Sequence, residues 1–232
     1  MKNDTVKIIN PDLVPGFIVY KENLIAWNKV MNLTAITESE EIDNLHFKDS
    51  LALLDFADFK CKKVIDVGTG AGFPGLPLKI EENSIDLTLL DSLDKRLSFL
   101  KDTCEKLELS DVKLVHARAE EIPNGFRESF DIAVSRAVAR LRMLAELCIP
   151  YVKPGGLFIA MKGPDFEAEL EEAKDIIKAL GAKTEKCFTY EIGDTGIRHS
   201  AILIRKLTPT DRKYPRRWAQ IKKEGGVNKP NR

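Results

Sequence analysis

The chain has 232 residues, 44% of them hydrophobic, with 36 basic and 36 acidic side chains balancing to zero net charge. That is enough apolar residue for one large α/β domain with an appendage, and no run of residues approaches a bilayer span. The amino terminus, MKNDTVKIIN, lacks the charged-then-apolar pattern of a secretory signal, and four scattered cysteines (Cys61, Cys104, Cys148, Cys187) contain no Cys-x-x-Cys pair. A zinc site, a disulfide framework and a membrane anchor are therefore not expected, and the thiols read as buried groups of a cytoplasmic protein.

The first sixty residues have the spacing of helices. Phe17, Tyr20, Leu24, Trp27 and Met31 form an apolar stripe, and Thr37 with Glu40 has the form of a capping box opening a second helix that continues through Leu45, Leu51 and Leu54. After Cys61 the pattern changes. Strands are predicted at 63–67, 86–90, 112–116, 131–135 and 157–161, with helices around 74–80, 93–107, 138–150 and 166–180. Two later strands, 186–192 and 199–206, are joined by a short polar link compatible with a hairpin. This alternation calls for a doubly wound, mostly parallel seven-stranded sheet with an antiparallel edge, Rossmann-like in class, preceded by a helical extension. The expected organisation is an N-terminal extension over 1–60, a main domain over 61–208 and a basic C-terminal tail over 209–232.

The densest chemical signal is VIDVGTGAGFPG, Val64 to Gly75, where a buried-strand pattern runs into Gly68, Gly70 and Gly72. Glycines directly after a strand permit a tight turn and close approach of the backbone to a ligand. Nineteen residues beyond Gly72, Asp91 closes the next strand, where a carboxylate suits the two ribose hydroxyls of an adenosine; the alternative is that it caps the helix after Ser92. Asp66 stands two positions before the first glycine. An acid there opposes a pyrophosphate but favours the cationic end of S-adenosylmethionine, so a methyl-donor site is preferred to a dinucleotide site. Ala119 and Glu120, after the third strand, fall where an adenine ring would lie, or they open a helix. Arg136, at the end of the fourth strand, faces the reacting group in this fold class unless it serves a structural salt bridge. His46 and Asp49, in HFKDSL, read as a tie between the N-terminal helices and the sheet rather than as an acid–base pair.

Charge is unevenly distributed. From Arg205 onward ten basic residues stand against two acidic ones, a net +8 that leaves −8 on the body. A basic tail carrying Tyr214 and Trp218 among Arg216 and Arg217 suits a polyanionic RNA, although a solvated tail has the same composition. Lys95 and Arg96 sit in a first helical turn, where cations oppose the helix dipole by about 0.3–1 kcal/mol each, so they are expected to meet phosphate.

Seven strings, WNKVMNLTAIT, HFKDSL, VIDVGTGAGFPGLPL, LLDSLDKRLSFL, ARAEE, SRAVARL and KYPRR, together resemble the bacterial 16S ribosomal RNA guanine-N7 methyltransferase family, also called glucose-inhibited division protein B. The resemblance spans nearly the whole chain. It implies a donor site including Gly68, Gly70, Phe73, Asp91, Ser92, Ala119, Glu120 and Arg136. It also implies a guanine of the small ribosomal subunit as acceptor, and the cations expected to hold that RNA are Lys95, Arg96, Arg216 and Arg217. After KYPR the family often continues with Gly-Thr-Pro-Asn, whereas this chain reads RWAQIKKEGGVN. The alternatives left open are a small-molecule methyltransferase, a non-catalytic RNA-binding assembly protein and, less well matched by the loop, an NAD-dependent oxidoreductase.

Overall fold

The computed structural model describes residues 14–136 and 139–224. Seven strands form one sheet: β1 (Lys63–Val67), β2 (Asp86–Asp91), β3 (Val112–His116), β4 (Phe130–Arg136), β5 (Val152–Lys162), β6 (Ala182–Glu191) and β7 (Arg198–Lys206). Their order is β3-β2-β1-β4-β5-β7-β6, parallel from β3 through β5, with β7 antiparallel to both β5 and β6. The strand order reverses between β1 and β4. In an open α/β sheet that switch leaves a crevice beyond the carboxyl ends of the strands, and here it opens above Val67, Asp91 and Arg136.

Side chains alternate across each strand, so every central strand contributes to two cores. Val64, Leu87, Leu89, Ile132 and Val134 face α1 (Pro15–Met31), α4 (Gly75–Glu81) and α5 (Asp94–Lys106), whereas Ile65, Val67, Leu90 and Ala133 face α6 (Leu141–Cys148) and α7 (Glu167–Ala179). The stripe on α1 buries Phe17, Tyr20 and Leu24 in the first core. Its polar flank docks on α5: Asn23 Nδ2 donates to Thr103 Oγ1 at 2.9 Å, and Trp27 Nε1 donates to Asp102 Oδ2 at 2.8 Å.

Several local expectations change. The capping box at Thr37 does not form: α2 spans Ser39–Ile42 with Glu38 at its N-cap and no side-chain cap. The chain then widens into a π-helical turn, Asp43–Lys48, before α3 (Asp49–Leu51) and a 3₁₀ turn, Ala52–Asp55. The helix predicted from 138 has its described start at Leu141, whose N–H donates to Glu169 Oε2 at 2.8 Å; Val138 lies outside the described residues. Cys148 is buried and Cys104 and Cys187 are partly buried, but Cys61 is exposed.

The segment after Lys206, expected to be a tail, is packed on the domain as far as it is described. The Lys206 ammonium is buried, donating to Glu128 Oε1 at 2.9 Å, to the Ile149 carbonyl at 3.2 Å and to Thr210 Oγ1 at 2.5 Å. Arg127 donates to the carbonyls of Thr210, Asp211 and Tyr214. Arg216 straddles Glu146 of α6 through Nε and Nη2, at 2.9 and 2.7 Å, and meets Glu224 at 2.6 Å, which brings α8 (Trp218–Glu224) against the second core. Residues 225–232 lie outside the described residues. Removing one partner of a buried ion pair strands the other charge, a loss of about 3 kcal/mol or more. Arg216→Ala should therefore lower the unfolding free energy by about that amount in urea denaturation and make the segment after Thr210 more sensitive to limited proteolysis. A change within about 0.5 kcal/mol would show that Glu146 does not depend on it.

Candidate active site

The glycine loop after β1 is held from three directions. From below, Asp66 Oδ2 accepts the Gly75 N–H at 2.9 Å and the Thr69 hydroxyl at 2.8 Å. From the side, Asp91 Oδ2 accepts the Gly70 N–H at 2.9 Å. From the N-terminal layer, the Tyr20 hydroxyl donates to the Ala71 carbonyl. Gly72, at φ +97°, shows why a side chain is excluded: a Cβ there would lie 2.5 Å from Tyr20 Oη and 2.8 Å from Leu76 Cδ1. Gly68 and Gly70 also have positive φ, +72° and +60°.

A cleft of about 570 Å³, a volume typical of small-molecule sites, opens over this loop. Its lining includes every donor-site residue expected from the sequence: Gly68, Gly70, Phe73, Asp91, Ser92, Ala119, Glu120 and Arg136. Arg96 lines it as well. A second cavity, between residues 54–60 and Glu81–Glu82, lies beside the chain entering β1 and β2, away from the carboxyl ends of the strands.

Asp66 does not line the cleft. It is completely buried under the loop, so its visible work is to hold the turn rather than to meet a cationic ligand, and its Oδ1 has no partner among the described residues. Asp91 lines the cleft, braces the loop and accepts the Leu93 N–H at 2.9 Å in the turn before α5, whose N-cap, Leu93, has no side-chain cap, so the capping alternative is not realised. Arg96 Nη1 approaches Asp91 Oδ2 at 3.2 Å, which accounts for one cation in the first turn of α5 without phosphate; Lys95 is exposed. Glu120 is paired with Arg118 at 2.7 Å, and the Ala119 carbonyl accepts the Tyr151 hydroxyl at 2.9 Å.

The opposite end of the cleft centres on Arg136. Its Nη1 donates to the Leu45 carbonyl at 2.8 Å and to Asp49 Oδ2 at 3.1 Å, its Nη2 donates to His46 Nδ1 at 2.9 Å, and its guanidinium carbon lies 4.9 Å from the Phe73 ring centre. Asp49 is wholly buried and gathers two more donors, Tyr190 Oη at 2.8 Å and His199 Nδ1 at 2.9 Å. The salt-bridge reading of Arg136 and its place in the cleft are thus both realised. His46 itself lines the cleft, stacked on Phe73 with ring centres 4.3 Å apart. Because a guanidinium only donates, His46 Nδ1 accepts, and its Nε2–H donates to Thr34 Oγ1 at 3.0 Å. Burial and the facing guanidinium hold the imidazole down to about 4, so it is neutral at neutral pH.

Three contributors were not expected at this site: Thr34 had no local signal, Tyr20 read as packing, and Trp218, read as a ring suited to RNA, lines the cleft although it follows the last strand by a dozen residues. Among the described residues no helix is long and apolar enough to cross a membrane, and no cluster of His, Cys, Asp or Glu could hold a metal ion.

Burial raises the Asp66 carboxyl from 3.8 to about 6 despite the two hydrogen bonds that lower it. Between about pH 4 and pH 6 the folded protein therefore retains a proton that the unfolded chain has released, and this group's contribution to stability falls as pH rises through that window. Asp66→Asn keeps an acceptor for Gly75 but cannot titrate. The unfolding free energy of the wild type minus that of the variant should fall from pH 4 to pH 6 and then level off, as followed by urea denaturation; a flat difference would mean that Asp66 is not raised.

The family model and the named relatives agree on one group, while solved structures share the fold. Residues 15–198 match the family described as GidB, rRNA small subunit methyltransferase G. Relatives with the name "Ribosomal RNA small subunit methyltransferase G" include those of Clostridium tetani, 45% identical over 90% of this chain and 89% of the relative, and Clostridium novyi, 48% identical over 87% and 84%. Solved structures share the fold at low identity. TrmN from Thermus thermophilus has a TM-score of 0.55 at 21% identity, covering 68% of this chain and 48% of that one. TYW2 from M. jannaschii, solved with AdoMet, has a TM-score of 0.58 at 14% identity, covering 75% and 80%. With the glycine loop, the acid closing β2 and the sheet order all in place, the chain belongs to the rRNA small subunit methyltransferase G family.

Proposed function

We propose that the protein transfers the methyl group of S-adenosylmethionine to N7 of a guanine in 16S ribosomal RNA of the small subunit. The family supplies the ribosomal RNA; the guanine and its N7 come from the sequence resemblance. The observation that carries the chemistry is that, among the described residues, no side chain at the Arg136 end of the cleft is poised as a base. His46 has one ring nitrogen committed to Arg136 and the other to Thr34, and Asp49 is saturated by Arg136, Tyr190 and His199. N7 carries an in-plane lone pair and no proton, so its alkylation requires no base.

The residues present fit the donor. A positive-φ glycine turn leaves backbone exposed at Gly68 and Gly70, Asp91 presents a carboxylate to a ribose, and Ala119 with Glu120 borders a flat ring. When bound, S-adenosylmethionine supplies a methyl group on a positively charged sulfur. The chain's own contribution is then alignment. Three N–H groups of Arg136 are fixed by Leu45, Asp49 and His46, which sets the guanidinium plane and leaves others to orient the guanine or its phosphate. Holding a nucleophile in line at about 3–3.5 Å supplies on the order of 7–11 kcal/mol relative to a chance encounter. Lys95 and Arg217 are the cations assigned to the RNA backbone; Arg96 and Arg216 are withdrawn from that set because Asp91 engages the first and Glu146 and Glu224 the second.

Transfer of labelled methyl from S-adenosylmethionine to 30S particles lacking the modification, with mass mapping of the product, tests the activity and the base. Donor binding without transfer to RNA would favour a small-molecule acceptor or an assembly role. Arg136→Lys keeps the charge but not the planar fork. It should bind S-adenosylhomocysteine within about threefold of the wild type while losing on the order of a hundredfold in methyl transfer, since misplacement by about 1 Å has that effect. Normal turnover would remove Arg136 from the mechanism.

A further inference from the structure

We infer that Trp218 is part of the methyl-donor site, its indole forming a wall of the subsite for the adenine ring; this rests on the donor reading above. The cleft lining at that end comprises Ala117, Arg118, Ala119, Leu144, Leu147 and Trp218. It lies just past the carboxyl end of β3, and Asp91 at the end of β2 shares the same cleft. A nucleoside with its ribose at Asp91 extends its base toward these residues.

Their character suits a flat base. Leu144 and Leu147 are buried aliphatic side chains of α6, and Trp218 adds an aromatic face packed against the second core. Arg118 lies 6.0 Å from the indole centre and is itself tied to Glu120 at 2.7 Å, so the cation attends the protein's own ring and acid. Asp91 and Glu120 are each paired with an arginine of the same cleft, Arg96 and Arg118, so among the described residues this part of it carries no unmatched cation to hold a phosphate and suits the uncharged face of a nucleoside.

The wall is positioned before any ligand arrives. Two residues before Trp218, Arg216 grips Glu146 with Nε and Nη2 at 2.9 and 2.7 Å, and its own N–H donates to Glu146 Oε1 at 2.7 Å. Arg127 secures the carbonyls of Thr210, Asp211 and Tyr214 upstream. A ring fixed in this way loses little freedom on binding. Trp218 lies beyond residues 15–198, the part of the chain that the family model matches.

Only Trp27 and Trp218 are tryptophans, and Trp27 does not line the cleft. The full-length Trp27→Phe protein therefore reports on Trp218 alone. Titration with S-adenosylhomocysteine, without RNA, should quench its fluorescence, and the Trp218→Phe protein should show no such change. By calorimetry, Trp218→Ala should weaken S-adenosylhomocysteine binding by roughly five- to a hundredfold, the range of a lost base–aromatic stack, while Trp218→Phe stays within about threefold. Unchanged affinity in a folded Trp218→Ala protein, or quenching that appears only with ribosomal RNA, would overturn the assignment and in the second case give the indole to the RNA. Failure of the wild type to bind S-adenosylhomocysteine would instead overturn the donor reading, and this inference with it.

Discussion

The buried carboxylate of Asp49 is the contact on which the geometry of the site depends. It sits at the end of the N-terminal helical layer and receives a guanidinium from β4, a phenol from β6 and an imidazole from β7. A carboxylate taken out of water is tolerated only when its lone pairs are met, and here a full charge and two further donors meet them. Tyr190 is kept protonated by burial and by Asp49 itself, so it remains a donor. The helical layer therefore cannot shift from the sheet without stranding a buried charge, and Arg136 is held at the rim as a result.

A similar economy governs the glycine loop. Its backbone must stay accessible, so its rigidity comes from groups outside it: Asp66 below, Asp91 beside and Tyr20 above. Tyr20 in turn stacks on Phe73, and Phe73 lies against His46 and Arg136. The loop and the arginine are parts of one packed aromatic cluster. Displacing α1 would disturb both ends of the cleft, which gives the helical extension a role in the site as well as in the core.

Much of this was legible in the sequence. Strand positions and the glycine turn are local properties, carried by continuous apolar runs and by residues able to adopt positive φ, and β1, β2, β3 and β7 lie within a residue of expectation. The tie made by His46 and Asp49 was also foreseeable from their types and their place between two layers. What could not be read were partners set by topology. Tyr20 meets Ala71 across 51 residues, Asp49 meets Tyr190 across 141, and nothing near Arg216 announces Glu146, 70 residues earlier. The box at Thr37 failed for a related reason. Tertiary packing of Ile42, His46 and Phe47 sets the helix and its π-helical turn, and a weak local cap does not override that burial.

Charge is where composition misleads most. Ten basic residues after Ile204 suggest a cationic arm, yet Arg205 is matched to Glu185, Lys206 is buried beside Glu128, and Arg216 is chelated by two glutamates. These three act on the fold. Neutralised by near contacts, they project little field beyond a Debye length, and among the described residues the exposed cations of this segment are Arg212, Lys213 and Arg217 with the lysines of α8. On the proposed function, the inward cations would bear on RNA indirectly. By anchoring the segment from Thr210 to Glu224 they fix where the exposed cations stand relative to the cleft, and a preplaced charge orients a substrate with less lost entropy than a loose tail of the same composition.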